Sequence, residues 1–169
     1  MRSVDSFNFN GKKALIRVDF NVPIDKNIVT DSSRILAAKN TIDKVCNDGG
    51  SCILMSHLGR PNGFQLEYSL SKIVKTVESV LNKKVFLSED VIGKDAIKKS
   101  SELKQGEVLL LENVRFHNEE NDGDIDFARD LSKLGDCYIN DAFGTAHRAH
   151  SSTTIVAIFF KDKFFGQLL

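Results

Sequence analysis

Short apolar, β-branched runs alternate with polar loops and with stretches of helical period along the whole chain. The runs at residues 13–18, 51–56, 84–87, 108–111 and 137–140 are apolar on both faces. That is the pattern of parallel strands buried on both sides, not the alternation of a half-solvated sheet. Between them, Asp31 or Ser32 can cap a helix to about Asn47, with Ile35, Ala38, Ile42 and Val45 along one face and Asp48-Gly49-Gly50 ending it. Ser69 or Ser71 opens a second helix that carries Ile73, Val77, Val80 and Leu81 at helical spacing. Residues 124–134 form a third, with Phe127, Ala128, Leu131 and Leu134 facing inward and Gly135 closing it. Strand and helix in alternation predict right-handed crossovers. The expected fold is α/β: a three-layer α/β/α domain on a doubly wound, mainly parallel, Rossmann-like sheet.

The last stretch breaks the pattern. Residues 155–169 carry Phe159, Phe160, Phe164, Phe165, Leu168 and Leu169 with no polar cap. An apolar end of this kind predicts a covering piece outside the chain, as in an excised part of a longer protein.

Composition narrows the function classes. The 169 residues are 41% hydrophobic and 27% charged, with 23 basic against 23 acidic side chains. A balanced charge gives no general pull towards nucleic acid or a membrane surface, so charge-driven binding must come from local clustering. The cysteines Cys46, Cys52 and Cys137 form no CxxC pair and are read as buried thiols in a reducing compartment. The first residues contain no apolar signal segment and no run is long enough to cross a bilayer, so the expected location is the cytoplasm.

In open α/β sheets, ligands bind outside the carboxyl ends of the strands. The segments there are Arg17-Val18-Asp19-Phe20-Asn21-Val22-Pro23, Ser56-His57-Leu58-Gly59-Arg60-Pro61, Glu112-Asn113-Val114-Arg115-Phe116-His117 and the run from Asn140 through Arg148 to His150. Each of the four carries an arginine, and three also carry histidine. Arg34 lies in the first turn of the first helix, where a cation opposes the helix dipole. Guanidinium groups gathered in a cleft repel one another unless an anion fills it, and their planar forks suit both phosphate and carboxylate.

Other chemistry finds no support. Neither GxGxxG nor GxxxxGK[ST] occurs. His147-x-x-His150 lacks further ligands in sequence, so no metal is expected, and Ser151-Ser152-Thr153 reads as a helix cap and not as a nucleophile.

Taken in order, Arg17–Pro23, residues 31–35, Ser56–Pro61, residues 111–119 and residues 140–153 resemble the N-terminal domain of phosphoglycerate kinases, from about Phe7 to Leu169. That family moves a phosphoryl group between 1,3-bisphosphoglycerate and ADP. The resemblance implies that the chain is the single substrate-binding domain of a normally two-domain kinase. It implies that Asp19, Phe20 and Asn21 line the glycerate, and that Arg17, His57, Arg60, Arg115 and Arg148 hold its phosphate and carboxylate. His57, Leu58, Gly59 and Arg60 would form the second substrate loop, and Arg34, as the catalytic residue, would stabilise charge on the transferring phosphoryl group. Mg-ATP or Mg-ADP would bind the family's C-terminal domain, absent here, so this chain is expected to bind 3-phosphoglycerate without catalysing transfer and to take no cofactor itself. Its other expected partner is that domain, with no nucleic acid and no membrane, in a monomer. The loop from Val22 to Asp31 is slightly short for the family. A stand-alone anion-binding module and an unrelated nucleotide-binding α/β domain are the competing readings.

Overall fold

The computed structural model describes residues 1–142 and 149–167. Its strands and helices run β1 (Arg2–Ser3), β2 (Lys13–Val18), β3 (Ile24–Asp25), β4 (Ile28–Val29), α1 (Ser33–Asn47), β5 (Ser51–Met55), α2 (Val74–Leu81), β6 (Val85–Leu87), α3 (Lys94–Glu102), β7 (Val108–Leu110), α4 (Asn118–Asp122), α5 (Ile125–Ser132), β8 (Cys137–Asp141) and β9 (Lys163–Phe165). Seven strands form one sheet in the order β1-β9-β8-β2-β5-β7-β6, every neighbouring pair parallel.

The double burial expected of the strands is what makes three layers. Along β2, Ala14, Ile16 and Val18 join a core with Ile35, Ala38, Ile42 and Val45 of α1 and Val77 and Leu81 of α2. Leu15, on the opposite face, joins Ala96 of α3 and Phe127, Ala128 and Leu131 of α5. The period-2 alternation of a strand thus serves two separate cores. It also places Arg17 on the same face as Leu15, beneath the carboxyl end of the sheet.

α1 begins as expected, but the cap is the Asp31 carboxylate, which accepts from Ser33 N at 2.9 Å, while Ser32 makes no side-chain cap bond. α5 is capped by Asp124, whose Oδ1 accepts from Phe127 N at 2.8 Å.

Four features depart from the sequence reading. The loop from Val22 to Asp31 contains a hairpin, β3 paired antiparallel with β4, turning at Lys26 and Asn27, both at positive φ. The polar stretch 94–102 is a helix, α3, anchored by Asp90, whose carboxylate accepts from Ala96 N at 2.8 Å and Asp95 N at 3.2 Å. Residues 151–153 do not cap a helix by their side chains. All three are buried, and Ser152 enters a polar chain described below. The apolar tail is covered in part: β9 enters the sheet between β1 and β8, Phe164 is fully buried against Phe7 and Phe9, and residues 155–159 make a 3-10 turn against α5, while Ile158 and Phe165 stay exposed and Leu168 and Leu169 lie outside the described residues. Among the described residues, no helix is long and apolar enough to cross a membrane.

Candidate functional site

β2 lies between β5 and β8, so the chain leaves the sheet centre in both directions and the loops after β2, β5 and β7 rise side by side. Three hydrogen bonds lace these loops together. Asn21 Oδ1 accepts from Gly59 N at 2.9 Å, and Gly59 O accepts from Arg115 Nη1 at 3.3 Å. Asn113 Nδ2 donates to Leu58 O at 2.8 Å. Gly59 has φ +62°, and a Cβ there would lie 2.4 Å from the Tyr68 ring, so no other residue fits without moving that ring.

Around this lacing stand the cations. Arg34 Nη1 reaches Asp19 Oδ2 at 2.9 Å and Oδ1 at 3.1 Å; the arginine is half exposed and the aspartate mostly covered. Asp19 Oδ1 also accepts from Asn21 N at 3.1 Å, which fixes the loop that presents both residues. Arg60, exposed, and Arg115 line one cavity of about 330 Å³ with Pro61, Asn121 and His150. Among the described residues, Arg60 makes no ion pair, so its guanidinium is available to a ligand.

His57 is buried at the centre of the set. Burial first, then the charges of Arg17 and Arg115, His150 and Arg34, push its pKa down to about 2. Its Nδ1 lies 2.9 Å from Arg17 Nη2. A guanidinium can only donate, so Nδ1 accepts and the ring proton resides on Nε2. The neutral ring therefore offers Nε2–H as a donor without needing protonation.

Arg17, which the resemblance places on the phosphate or carboxylate, lies beneath the cleft surface. It is fully buried; its Nε donates to Ser152 Oγ at 2.8 Å and its Nη1 donates to Val18 O. Burial lowers its pKa, opposed by Glu120, Tyr138 and Asp19. Glu120, itself fully buried, accepts from Ser152 N at 2.8 Å and from Ser152 Oγ. Glu120, Ser152, Arg17 and His57 thus form one buried polar chain. Phe20 and Leu58 likewise turn into the core, Phe20 N bonding Ser56 Oγ at 2.9 Å. Arg148 and His147 lie outside the described residues.

The sequence reading passed over two supports. Buried Glu112 accepts from Ser69 Oγ at 2.7 Å, Leu70 N at 2.8 Å and Asn113 N at 2.9 Å. Asn113, fully buried, also takes the Tyr68 carbonyl at 2.9 Å and accepts from Arg115 N at 3.0 Å, aiming Arg115. The signal was two polar residues directly after an apolar strand, where nothing but partners inside the fold can satisfy them.

Fold and site together define a parallel α/β domain with a cationic cleft at its strand ends. A family model described as phosphoglycerate kinase matches residues 4–169. The chain belongs to the phosphoglycerate kinase family. The phosphoglycerate kinase of Porphyromonas gingivalis is 44% identical over 193 residues, covering 99% of this chain and 46% of that protein. That of Chloroherpeton thalassium is 46% identical over 169 residues, covering 99% and 43%. Among solved structures, phosphoglycerate kinase from Coxiella burnetii superposes with a TM-score of 0.87 at 34% identity, covering 98% of this chain and 41% of that one. The enzyme from Pyrococcus horikoshii gives 0.90 at 31%, covering 99% and 43%. The chain spans less than half the length of these relatives.

Proposed function

We propose that this chain is the substrate-holding lobe of a phosphoglycerate kinase, taking 3-phosphoglycerate or 1,3-bisphosphoglycerate in the cleft above β2, β5 and β7. The observation that carries the reading is the lacing of three strand-end loops through Asn21, Gly59 and Arg115, with Arg60 and Arg115 lining one cavity and the charges of Arg115 and Arg34 both acting on buried His57.

Phosphoryl transfer asks the protein mainly to position groups and neutralise charge. Arg60 and Arg115 take the phosphate and carboxylate ends of the glycerate, together with Arg148, which follows β8 in the sequence. Asp19 and Asn21 face its hydroxyl. Arg34 stands nearest the group in flight: held by Asp19 in the resting state, it turns its charge to the phosphoryl oxygens as negative charge spreads over them. In the whole protein an oxygen of ADP attacks phosphorus, the bond to the acyl oxygen breaks and the carboxylate of 3-phosphoglycerate leaves. Magnesium and nucleotide belong to the part of the protein outside this chain, where the metal neutralises phosphate charge. The isolated chain binds glycerate phosphates and does not turn over, acting in the cytoplasm as part of a monomer.

Calorimetric titration tests this directly. The chain takes up 3-phosphoglycerate at one site, weakens with added salt and shows no heat with Mg-ATP. Nucleotide binding, or glycerate binding indifferent to salt, contradicts the reading.

A further inference from the structure

Two thiols meet at the end of the sheet opposite the cleft. Cys46, in the last turn of α1, and Cys52, near the amino end of β5, have their sulfurs 3.8 Å apart. Cys52 is buried and also faces the Ile42 carbonyl at 3.8 Å, whereas Cys46 is partly open to solvent. The chain reverses between them through Asp48-Gly49-Gly50, locked by Gly50 N to Val45 O at 2.9 Å and Gly49 N to Cys46 O at 3.0 Å. This reversal faces one sulfur to the other. Lys83 lies beside Cys46 and favours its thiolate, with Asp43 opposing.

We propose that Cys46 and Cys52 are a peroxide-responsive thiol pair, Cys46 the attacking and Cys52 the resolving cysteine. The Cys46 thiolate attacks one oxygen of hydrogen peroxide or an alkyl hydroperoxide. The O–O bond breaks, and the departing oxide takes a proton and leaves as water or alcohol, giving Cys46 sulfenic acid. The Cys52 sulfur then attacks the Cys46 sulfur: an S–S bond forms, the S–O bond breaks, and hydroxide leaves with the Cys52 proton as water. Two thiols lose two electrons and one peroxide is reduced, so no further reagent is required.

The environments set this asymmetry. Hydrogen bonding from Cys52 brings the Cys46 pKa down to about 7 against its partial burial, with help from Lys83. Burial pushes the Cys52 thiol well up, as it does Cys137, raised to about 12. A thiol near 7 is about half thiolate at neutral pH, whereas an ordinary one near 8.5 is only a few per cent ionised. Cys137 therefore serves as an internal control. The pair lies away from the cleft, so the proposal stands whatever ligand the cleft binds.

The experiment is peptide mapping of the reduced chain after low-dose hydrogen peroxide, with free thiols blocked by iodoacetamide. The expected product has lost two hydrogens, links the peptides of Cys46 and Cys52, leaves Cys137 alkylated and reverts with dithiothreitol. In C52A, oxidation halts at a Cys46 sulfenic acid that dimedone captures, and iodoacetamide alkylates Cys46 about ten-fold more slowly at pH 7. Unlinked thiols in the treated wild-type chain, equal oxidation of Cys46 and Cys137, or Cys46 sulfinic acid beside a free Cys52 would each overturn the proposal, and none of these depends on a variant folding.

Discussion

The guanidinium of Arg17 and the imidazole of His57 meet 2.9 Å apart inside the domain, and this contact fixes the tautomer of a histidine that burial first, and Arg17 next, hold neutral. Because Arg17 only donates, His57 is a neutral Nε2–H donor. Nitrogen NMR of the His57 ring should show a protonated Nε2 and a bare Nδ1, unchanged from pH 8 to pH 5, and in R17M the pKa should rise but stay below the ordinary value of about 6.5, because burial, the largest cause, remains. A wild-type ring that titrates near neutrality would remove the assignment.

The buried, neutral state of His57 makes the domain acid-labile over a defined range. His57 has a folded pKa of about 2, far below the ordinary value. Above pH ~6.5 it is neutral folded and unfolded and contributes nothing to the pH dependence. Below that, the unfolded chain binds the extra proton, so stability falls as pH falls, down to about pH 2. Between pH 6.5 and 5 the loss is up to roughly 2 kcal/mol, at about 1.4 kcal/mol per pH unit. Urea unfolding of wild type and H57Q at pH 7 and pH 5 measures it, and the variant should lose less by about that amount.

Glu120 supplies the charge opposite buried Arg17. Its removal in E120A strands that cation beneath the cleft, and stability should fall by about 3–5 kcal/mol, the usual result of breaking a buried charge pair from one side. Chemical denaturation checks this. A loss under about 1 kcal/mol would show that Arg17 finds another counter-charge.

The other acid–base pair in the cleft behaves differently. Arg34 and Asp19 form a partly exposed ion pair, worth roughly 0–1 kcal/mol. R34A should therefore leave unfolding nearly unchanged. In the whole enzyme it should cut turnover far more than glycerate affinity, because the proposed partner is the transition state. Equal effects on both would assign Arg34 to ground-state binding.

Gly59 offers a steric test of the lacing. G59A combines a positive φ with a Cβ 2.4 Å from the Tyr68 ring. The loop should shift and glycerate affinity fall by about ten-fold, as for the loss of about 1.4 kcal/mol of contacts. Titration calorimetry reads this, and unchanged affinity would separate the loop from the site.

The strands were legible because their apolar runs are local and doubly buried, and α1 because its apolar face repeats through Val45. What escaped depends on distant partners. β9 pairs with Arg2 and Ser3 from the other end of the chain, and Phe164 packs on Phe7 and Phe9, so the tail read alone appeared uncovered. α3 buries only Ala96 and Ser100 and shows no apolar stripe, while the β3–β4 turn uses Lys26 and Asn27 where glycine would have announced it. In the site, the arginines were visible but their division was not. Arg17 sits within a buried strand and reaches Glu120 through Ser152, and Glu120 is one member of an acidic run that otherwise reads as solvated surface.

The central claim is that the cleft above β2, β5 and β7 receives a small phosphorylated carboxylate. The most direct test is a titration of the isotope-labelled chain with 3-phosphoglycerate, followed by amide chemical shifts. Saturable shifts are expected at Asp19, Asn21, Arg34, residues 57–60, Arg115 and Arg148, reversed by salt, with the Cys46–Cys52 end silent. Shifts elsewhere, or none in a folded sample, would contradict it.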